Sequence, residues 1–126
     1  MILGIGTDIV KISRINKIHT KHGDTFAKKI LHPTEYKEFG LSKKPSHFLA
    51  KRFAAKEAVM KTLGTGWTRG VGWQDIEVQS AKSGQPSIAI HGGARDHANQ
   101  LGIDEILITI SHCRAYATAT AIAVSY

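Results

Sequence analysis

A long helical pattern near the middle of the chain constrains the fold most. Residues 47–63 contain neither glycine nor proline, and Gly64 follows them directly. Ser46 stands where an N-cap is expected, and a glycine is a common helix terminator. At about 100° per residue, one face collects large apolar side chains: Leu49, Phe53, Met60 and Leu63. We predict a helix over residues 47–63 that packs this stripe against the core.

The N-terminal segment, residues 2–10, has the alternation of a β-strand. One face carries Leu3, Ile5, Thr7 and Ile9, and the other carries Gly4, Gly6 and Asp8. Glycines inside a strand indicate that another backbone or a ligand comes close. We therefore expect a close contact on the glycine face.

The other segments complete an α+β pattern. A basic helix is predicted over residues 12–22, and short helical segments begin near Asp24 and Pro33. A hairpin is predicted around the turn Ser83-Gly84, followed by a short helix over residues 94–101 and strands over residues 105–111 and 116–124. The predicted order is β-α-α-α-β-β-α-β-β, in two layers. Without a repeat or linker, we expect a single domain over residues 1–126.

Charge and composition narrow the class of protein. Seventeen Lys and Arg oppose ten Asp and Glu, a formal charge of +7. This excess favours an anionic partner, although it also serves solubility. No apolar run approaches the ~20 residues that span a bilayer, so we expect no membrane partner. The first residues have the pattern of a strand and not of a positively charged leader, so we expect no signal peptide. The single cysteine, Cys113, cannot form an internal disulfide, which fits a cytoplasmic location.

Glu57 is the acidic residue of the long helix with the most unusual position. It lies about 40° from Phe53 around the helix, at the border of the apolar stripe. A carboxylate there costs free energy unless a cation or hydrogen bonds compensate it. The compensating cation can be a metal ion. It can equally be Lys61, one turn further along the same helix.

Asp8 is the second candidate carboxylate, near the end of the first predicted strand. It can cap the helix that follows. Together with Glu57 and the many basic residues, it also suits Mg²⁺ with a phosphate, because Mg²⁺ takes one or two protein carboxylates and phosphate oxygens. The sequence has no Cys/His cluster at zinc spacing.

Three further motifs have ordinary structural explanations. Gly64-Thr-Gly66 follows a helix instead of opening one, so it is first a helix terminus, and the chain has neither a Walker sequence nor a dinucleotide fingerprint. Ser111 and His112 are neighbours at a strand end, which alone does not make a catalytic pair. Cys113 can be a small, partly buried side chain.

Taken together, three stretches resemble the holo-acyl-carrier-protein synthase family of phosphopantetheinyl transferases. They are GIGTDIV at residues 4–10, RFAAKEAVMKTLGTG at residues 52–66, and ISH at residues 110–112. The resemblance extends over nearly the whole chain, including LSKK at 41–44 and SGQP at 83–86. It implies the fold of that family. It also implies Mg²⁺-dependent transfer of 4′-phosphopantetheine from coenzyme A to a serine of apo-acyl carrier protein, in fatty acid biosynthesis.

The resemblance also implies residue roles. Asp8 and Glu57 would hold Mg²⁺ and, with Lys61, form the catalytic group. The residues expected to contact coenzyme A are Lys44, Arg52, Lys61, Gly64, Pro86, Ser111 and His112. The residues expected to receive an acidic helix of the carrier are Arg14, Lys17 and Lys21. The serine proton would pass either to Glu57 or to a metal-bound water.

Assembly and departures from the family pattern complete this interpretation. The family implies a homotrimer with active sites between subunits. Cys113 stands where the family usually has Thr or Ser, and Ala115 stands where the family often has an acidic residue.

Two other classes stay open from the residues alone: a small basic nucleic-acid-binding protein and an interaction protein without catalysis. No aromatic and basic surface motif supports the first, so we expect no nucleic-acid partner.

Overall fold

The computed structural model describes residues 1–67 and 70–126. Its strands are β1 (Ile2–Lys11), β2 (Ile76–Ser80), β3 (Pro86–Ile90), β4 (Glu105–His112) and β5 (Tyr116–Val124). Its helices are α1 (Ile12–His22), α2 (Asp24–Ile30), α3 (Pro33–Leu41), α4 (Pro45–Leu63) and α5 (Gly92–Gln100). The predicted α+β class is confirmed, and the predicted hairpin forms between β2 and β3.

Two details of the helical region differ from the prediction. The predicted order has three helices between the first two strands, whereas the structure has four. Leu31 and His32 are extended and separate α2 from α3. The prediction of Ser46 as an N-cap was wrong, because α4 begins at Pro45, and a proline without an N–H suits a first helical position. The Ser46 hydroxyl instead donates to Asn16 Oδ1 at 2.7 Å.

Small side chains bring α4 close to the main sheet. That sheet is antiparallel, in the order β1-β5-β4, and α4 packs on β1 and β5. Every second residue of β5 faces α4, and these residues are alanines with at most 1% of their surface exposed: Ala117, Ala119, Ala121 and Ala123. On α4 itself, Ala50, Ala54 and Ala58 are fully buried. Alanine on both sides lets the helix approach the strands closely.

The glycine face of β1 makes the closest of these contacts. A β-carbon at Gly6 would lie only 2.1 Å from the carbonyl oxygen of Ala58, and one at Gly4 would lie 2.9 Å from that of Thr62. The close backbone approach expected at these glycines is confirmed. The opposite face of β1 is uncovered in the single chain, where Ile5 is 68% and Ile9 66% exposed.

The apolar stripe predicted on α4 is largely buried. Leu49, Met60 and Leu63 belong to the core, whereas Phe53 is half-buried and stacks on Trp73 with ring centroids 5.2 Å apart. In the part of the chain that the structure describes, no helix combines the length and apolar character that crossing a membrane requires.

Candidate active site

The packing of β1 against α4 brings the two candidate carboxylates to one place. Along β1, Gly4 meets Thr62 and Gly6 meets Ala58, so strand and helix run in opposite directions. Asp8, the next residue on that face, therefore lies beside the turn of α4 that precedes Ala58 and contains Glu57. Both carboxylates lie at the edge of the contact, since Asp8 and Glu57 are each partly buried.

Lys61 connects the helix to the strand at this point. Its Nζ donates to the Thr7 carbonyl at 2.7 Å and lies 3.5 Å from Asp8 Oδ1. Among the described residues no ion pair links Lys61 to Glu57, so the ordinary pair along one helix that the sequence allows is not the one that forms. Asp8 does not cap α1 either, because the N-cap is Lys11 without a side-chain hydrogen bond.

The carboxyl group of Asp8 is partly removed from water. Desolvation raises the pKa of its carboxyl group above the usual value, and the nearby positive charges of Lys61 and Arg14 oppose this rise. A carboxylate that loses hydration gains from a further cation beside it. Two partly buried carboxylates of this kind match the hard oxygen donors that Mg²⁺ prefers. The residues present therefore fit the expected ion.

Trp67 is a neighbour of Glu57 that the sequence did not reveal. Its Nε1 donates to Glu57 Oε1 at 3.2 Å. Its ring stacks on Trp73, with centroids 3.8 Å apart and planes at 19°. The stack fixes the indole, and the indole orients the carboxylate. The only signal in the sequence was an aromatic residue directly after the Gly64–Gly66 turn, which suggests no partner.

Several predicted coenzyme A contacts line one groove of about 400 Å³. Arg52, Pro86 and His112 are among its lining residues, together with Lys51 and Glu38, which the prediction omitted. Asp8 and Glu57 are absent from its described lining. The predicted site residues therefore divide into two groups, the Asp8–Glu57 contact and this basic groove.

The described lining of the groove includes the basic residues Lys51, Arg52 and His112 and one carboxylate, Glu38. Burial lowers the pKa of Lys51, and the charge of Arg52 lowers it further. Burial also lowers the pKa of His112, with contributions from Lys51, His47 and Lys44. Each cation thus makes its neighbours harder to protonate, and a bound anion would relieve that repulsion. Lys44 lines an adjoining depression that also includes His112.

Arg52 is held more tightly than its neighbours in the groove. Its Nη2 donates to Glu38 Oε2 at 3.1 Å, and its guanidinium lies over the Phe48 ring at 4.6 Å from the centroid. Only about a tenth of the side chain is exposed. The other two predicted contacts are Gly64, which ends α4 in the left-handed conformation, and Ser111, exposed near the end of β4.

The basic face predicted on α1 adjoins the carboxylates. Arg14, Lys17 and Lys21 are all exposed, while Ile12 and Ile15 anchor the helix in the core. Arg14 is close enough to Asp8 to lower the pKa of its carboxyl group. An acidic partner on this face would therefore lie next to the Asp8–Glu57 contact.

Comparison with known proteins assigns the family. The 4′-phosphopantetheinyl transferase superfamily model matches residues 4–121. A holo-[acyl-carrier-protein] synthase from Halorhodospira halophila is 46% identical over 125 residues, covering 99% of each chain. The crystal structure of the Neisseria meningitidis synthase is 37% identical with a TM-score of 0.93, covering 99% of this chain and all of that one.

A third relative has a ligand. A holo-(acyl-carrier-protein) synthase from Bacillus anthracis, crystallised in complex with CoA (3′,5′-ADP), is 33% identical with a TM-score of 0.84 and covers 100% of this chain and 99% of that one. Fold, length and sequence agree in all three comparisons. The chain therefore belongs to the 4′-phosphopantetheinyl transferase superfamily, among its holo-[acyl-carrier-protein] synthases.

Proposed function

We propose that the chain transfers 4′-phosphopantetheine from coenzyme A to a serine of apo-acyl carrier protein and thereby serves fatty acid biosynthesis. The observation that carries this proposal is the close packing of Gly6 on Ala58, from which we infer that Asp8 lies beside the turn of α4 that contains Glu57. The named activity of the relatives and the coenzyme A complex of the Bacillus anthracis synthase support it.

The reaction exchanges a phosphoanhydride bond for a phosphoester bond. The serine Oγ attacks the phosphorus that carries the pantetheine, and a new P–O bond to serine forms. The pyrophosphate P–O bond breaks, adenosine 3′,5′-bisphosphate leaves with the bonding electron pair, and the serine proton passes either to Glu57 or to a water beside it. Most of the catalysis in such transfers comes from positioning and from stabilising charge on the phosphate oxygens. The exposed ammonium group of Lys61, already anchored on the Thr7 carbonyl, can contact those oxygens.

Asp8 and Glu57 are the residues we assign to Mg²⁺. When bound, the ion would neutralise charge on the phosphates of coenzyme A. The two carboxylates orient toward a common edge because their backbones are fixed by the Gly6–Ala58 contact. Trp67 limits the rotation of Glu57 through the hydrogen bond to Oε1.

The basic groove is the site we assign to coenzyme A, an anion at neutral pH. Arg52, Pro86, His112 and the adjoining Lys44 would contact it. Ser111 precedes His112 on β4, whereas Gly64 ends α4 away from this groove. Because the groove lining includes neither carboxylate, we propose that the groove of one subunit faces the carboxylates of another in a homotrimer. The uncovered face of β1, with Ile5 and Ile9, is available for such an assembly.

The carrier would dock on α1. A helix bearing acidic residues would match Arg14, Lys17 and Lys21, and it would bring its serine toward Asp8. We further propose that residues 1–126 act as one domain in the cytoplasm.

Labelling of the carrier tests the proposal. Purified protein, apo-acyl carrier protein and coenzyme A are incubated with Mg²⁺ or with EDTA, and intact-mass spectrometry follows the carrier. A gain of one phosphopantetheine on the serine, dependent on the metal, is expected. Absence of labelling by folded protein would refute the assignment, and tight binding to RNA instead would favour the nucleic-acid class.

A further inference from the structure

A second group of potential metal ligands lies away from the Asp8–Glu57 contact. His32 precedes α3, Glu77 belongs to β2, and His91 follows β3. One ligand atom from each of these residues lies within 4.8 Å of the others. Among the described residues this is the only such group of three. None of the three residues belongs to β1, to α4 or to the lining of the basic groove.

The distances bring the three side chains near the spacing of a metal site. His91 Nε2 is 2.9 Å from Glu77 Oε1, and His32 Nδ1 is 3.9 Å from Glu77 Oε2. The two imidazoles stack with centroids 5.2 Å apart. With metal–ligand bonds of about 2.0–2.2 Å, neighbouring donors lie roughly 3–3.5 Å apart. The His91–Glu77 pair is slightly closer than this spacing and the His32–Glu77 pair slightly wider, and a rotation of the His32 ring away from the Thr34 N–H would bring in the third donor.

Hydrogen bonds orient the carboxylate of Glu77. Its Oε2 accepts from Thr34 Oγ1 at 2.7 Å, and its side chain is only 9% exposed. Partners that orient a ligating carboxylate in this way are a usual part of metal sites.

The outer side of the group is open. The His91 side chain is 46% exposed and that of His32 is 25% exposed, so an ion and its water ligands can enter. Two imidazoles with one carboxylate favour a divalent transition metal over Mg²⁺, which prefers oxygen alone. We propose that His32, Glu77 and His91 form a binding site for a divalent transition metal such as Zn²⁺, separate from the predicted Mg²⁺ site.

The test is a titration of EDTA-treated, full-length protein with Co²⁺, whose absorption reports its coordination, followed by competition with Zn²⁺. With excess Mg²⁺ present to occupy the Asp8–Glu57 site, we expect one equivalent of Co²⁺ bound per chain. His91→Ala should raise the dissociation constant at least tenfold, and Glu77→Gln should do the same. His22→Ala, which removes an exposed histidine at the end of α1, should leave it unchanged. Asp8→Ala should also leave it unchanged.

The outcomes separate this site from the transferase site. Transferase activity should persist in His91→Ala, so failure of either proposal is visible without the other. Equal Co²⁺ binding by wild type and His91→Ala would overturn the site, as would loss of binding in Asp8→Ala. Absence of any Co²⁺ binding would leave the three residues as a hydrogen-bonded link between α3 and the hairpin, and would also overturn it.

Discussion

Helix α4 carries two lysines that face carboxylates, and the two pairs differ in almost every respect. Lys56 is fully buried, and its Nζ bonds to Glu35 Oε1 at 2.6 Å and to the carbonyls of Ile30 and Trp73. Lys61 is half-exposed and lies 3.5 Å from Asp8. The first pair has all its donors used inside the protein, whereas the second leaves donors and carboxylate oxygens for a ligand.

The difference shows how neighbouring positions can separate structure from chemistry. Lys56 and Glu57 are adjacent in sequence but point about 100° apart on the helix. Glu35, the partner of Lys56, also accepts from the backbone N–H groups of His32 and Val78, so it joins α3 and β2 to α4. The buried pair fixes the frame, and the exposed pair is free to take part in the reaction.

Removing a carboxylate of the exposed pair should have the largest effect. We expect Asp8→Ala or Glu57→Ala to lower kcat/KM by about a thousandfold or more, since a metal ion contributes several kcal/mol of charge stabilisation. The melting temperature should stay close to that of the wild type. Asp96→Ala, on the exposed side of α5, is the control and should keep full activity. Near-normal turnover by both folded variants would end the assignment.

Disrupting the buried pair of Lys56 and Glu35 should lower stability, whereas disrupting the exposed site lowers activity. Lys56→Ala removes the nearest cation from the buried Glu35 carboxylate and leaves only Arg52 Nε, 3.7 Å from Glu35 Oε2, so we expect it to lower the free energy of unfolding by about 3–5 kcal/mol. Lys61→Ala removes a half-exposed partner and should cost about 1 kcal/mol or less. Urea denaturation of both variants measures the contrast. Equal losses of stability would mean that the two lysines do not differ as described.

The basic face of α1 extends the comparison to the carrier. The double variant Arg14→Glu, Lys21→Glu should raise the KM for the carrier about tenfold at low salt, because charge attraction is replaced by repulsion. The KM for coenzyme A should change by less than about twofold, and added salt should narrow the difference. Lys29→Glu, exposed on α2, is the matched control. An unchanged KM for the carrier would exclude α1 as its docking surface.

The smallest effect is expected at Trp67. Trp67→Phe keeps a ring to stack on Trp73 but removes the donor to Glu57. Loss of one hydrogen bond to a charged group should lower kcat roughly tenfold and weaken apparent Mg²⁺ affinity similarly. Kinetics across a series of Mg²⁺ concentrations measure both. If neither value changes, Trp67 does not position Glu57.

Local signals in the sequence predicted most of the elements. Alternating apolar residues predicted β1, and Gly64 predicted the end of α4. The turn at Ser83-Gly84 predicted the hairpin, and the structure contains all three features. The short helices beginning at Asp24 and Pro33 were also indicated locally, although the predicted order counted one helix too few before the hairpin. The buried state of Lys56 was missed as well, since no local pattern distinguishes a buried lysine from an exposed one.

The candidate site was predictable only where a local pattern marked a residue. Glu57 stood out at the edge of the apolar stripe, but its neighbour Trp67 approaches through a loop whose path the sequence does not specify. The pairing of Lys61 with Asp8 depends on the register of β1 against α4, which is a property of the packed fold.

The contact of Gly6 with the Ala58 carbonyl insulates the two carboxylates from changes elsewhere in the protein. The backbone of β1 contacts the backbone of α4 there. The spacing of the two elements that carry Asp8 and Glu57 is therefore not set by the size of a side chain between them. Substitutions can accumulate in the rest of the core, and its volume can drift, while this spacing persists. Position 6 itself has no such tolerance, because even a methyl group would push the helix away.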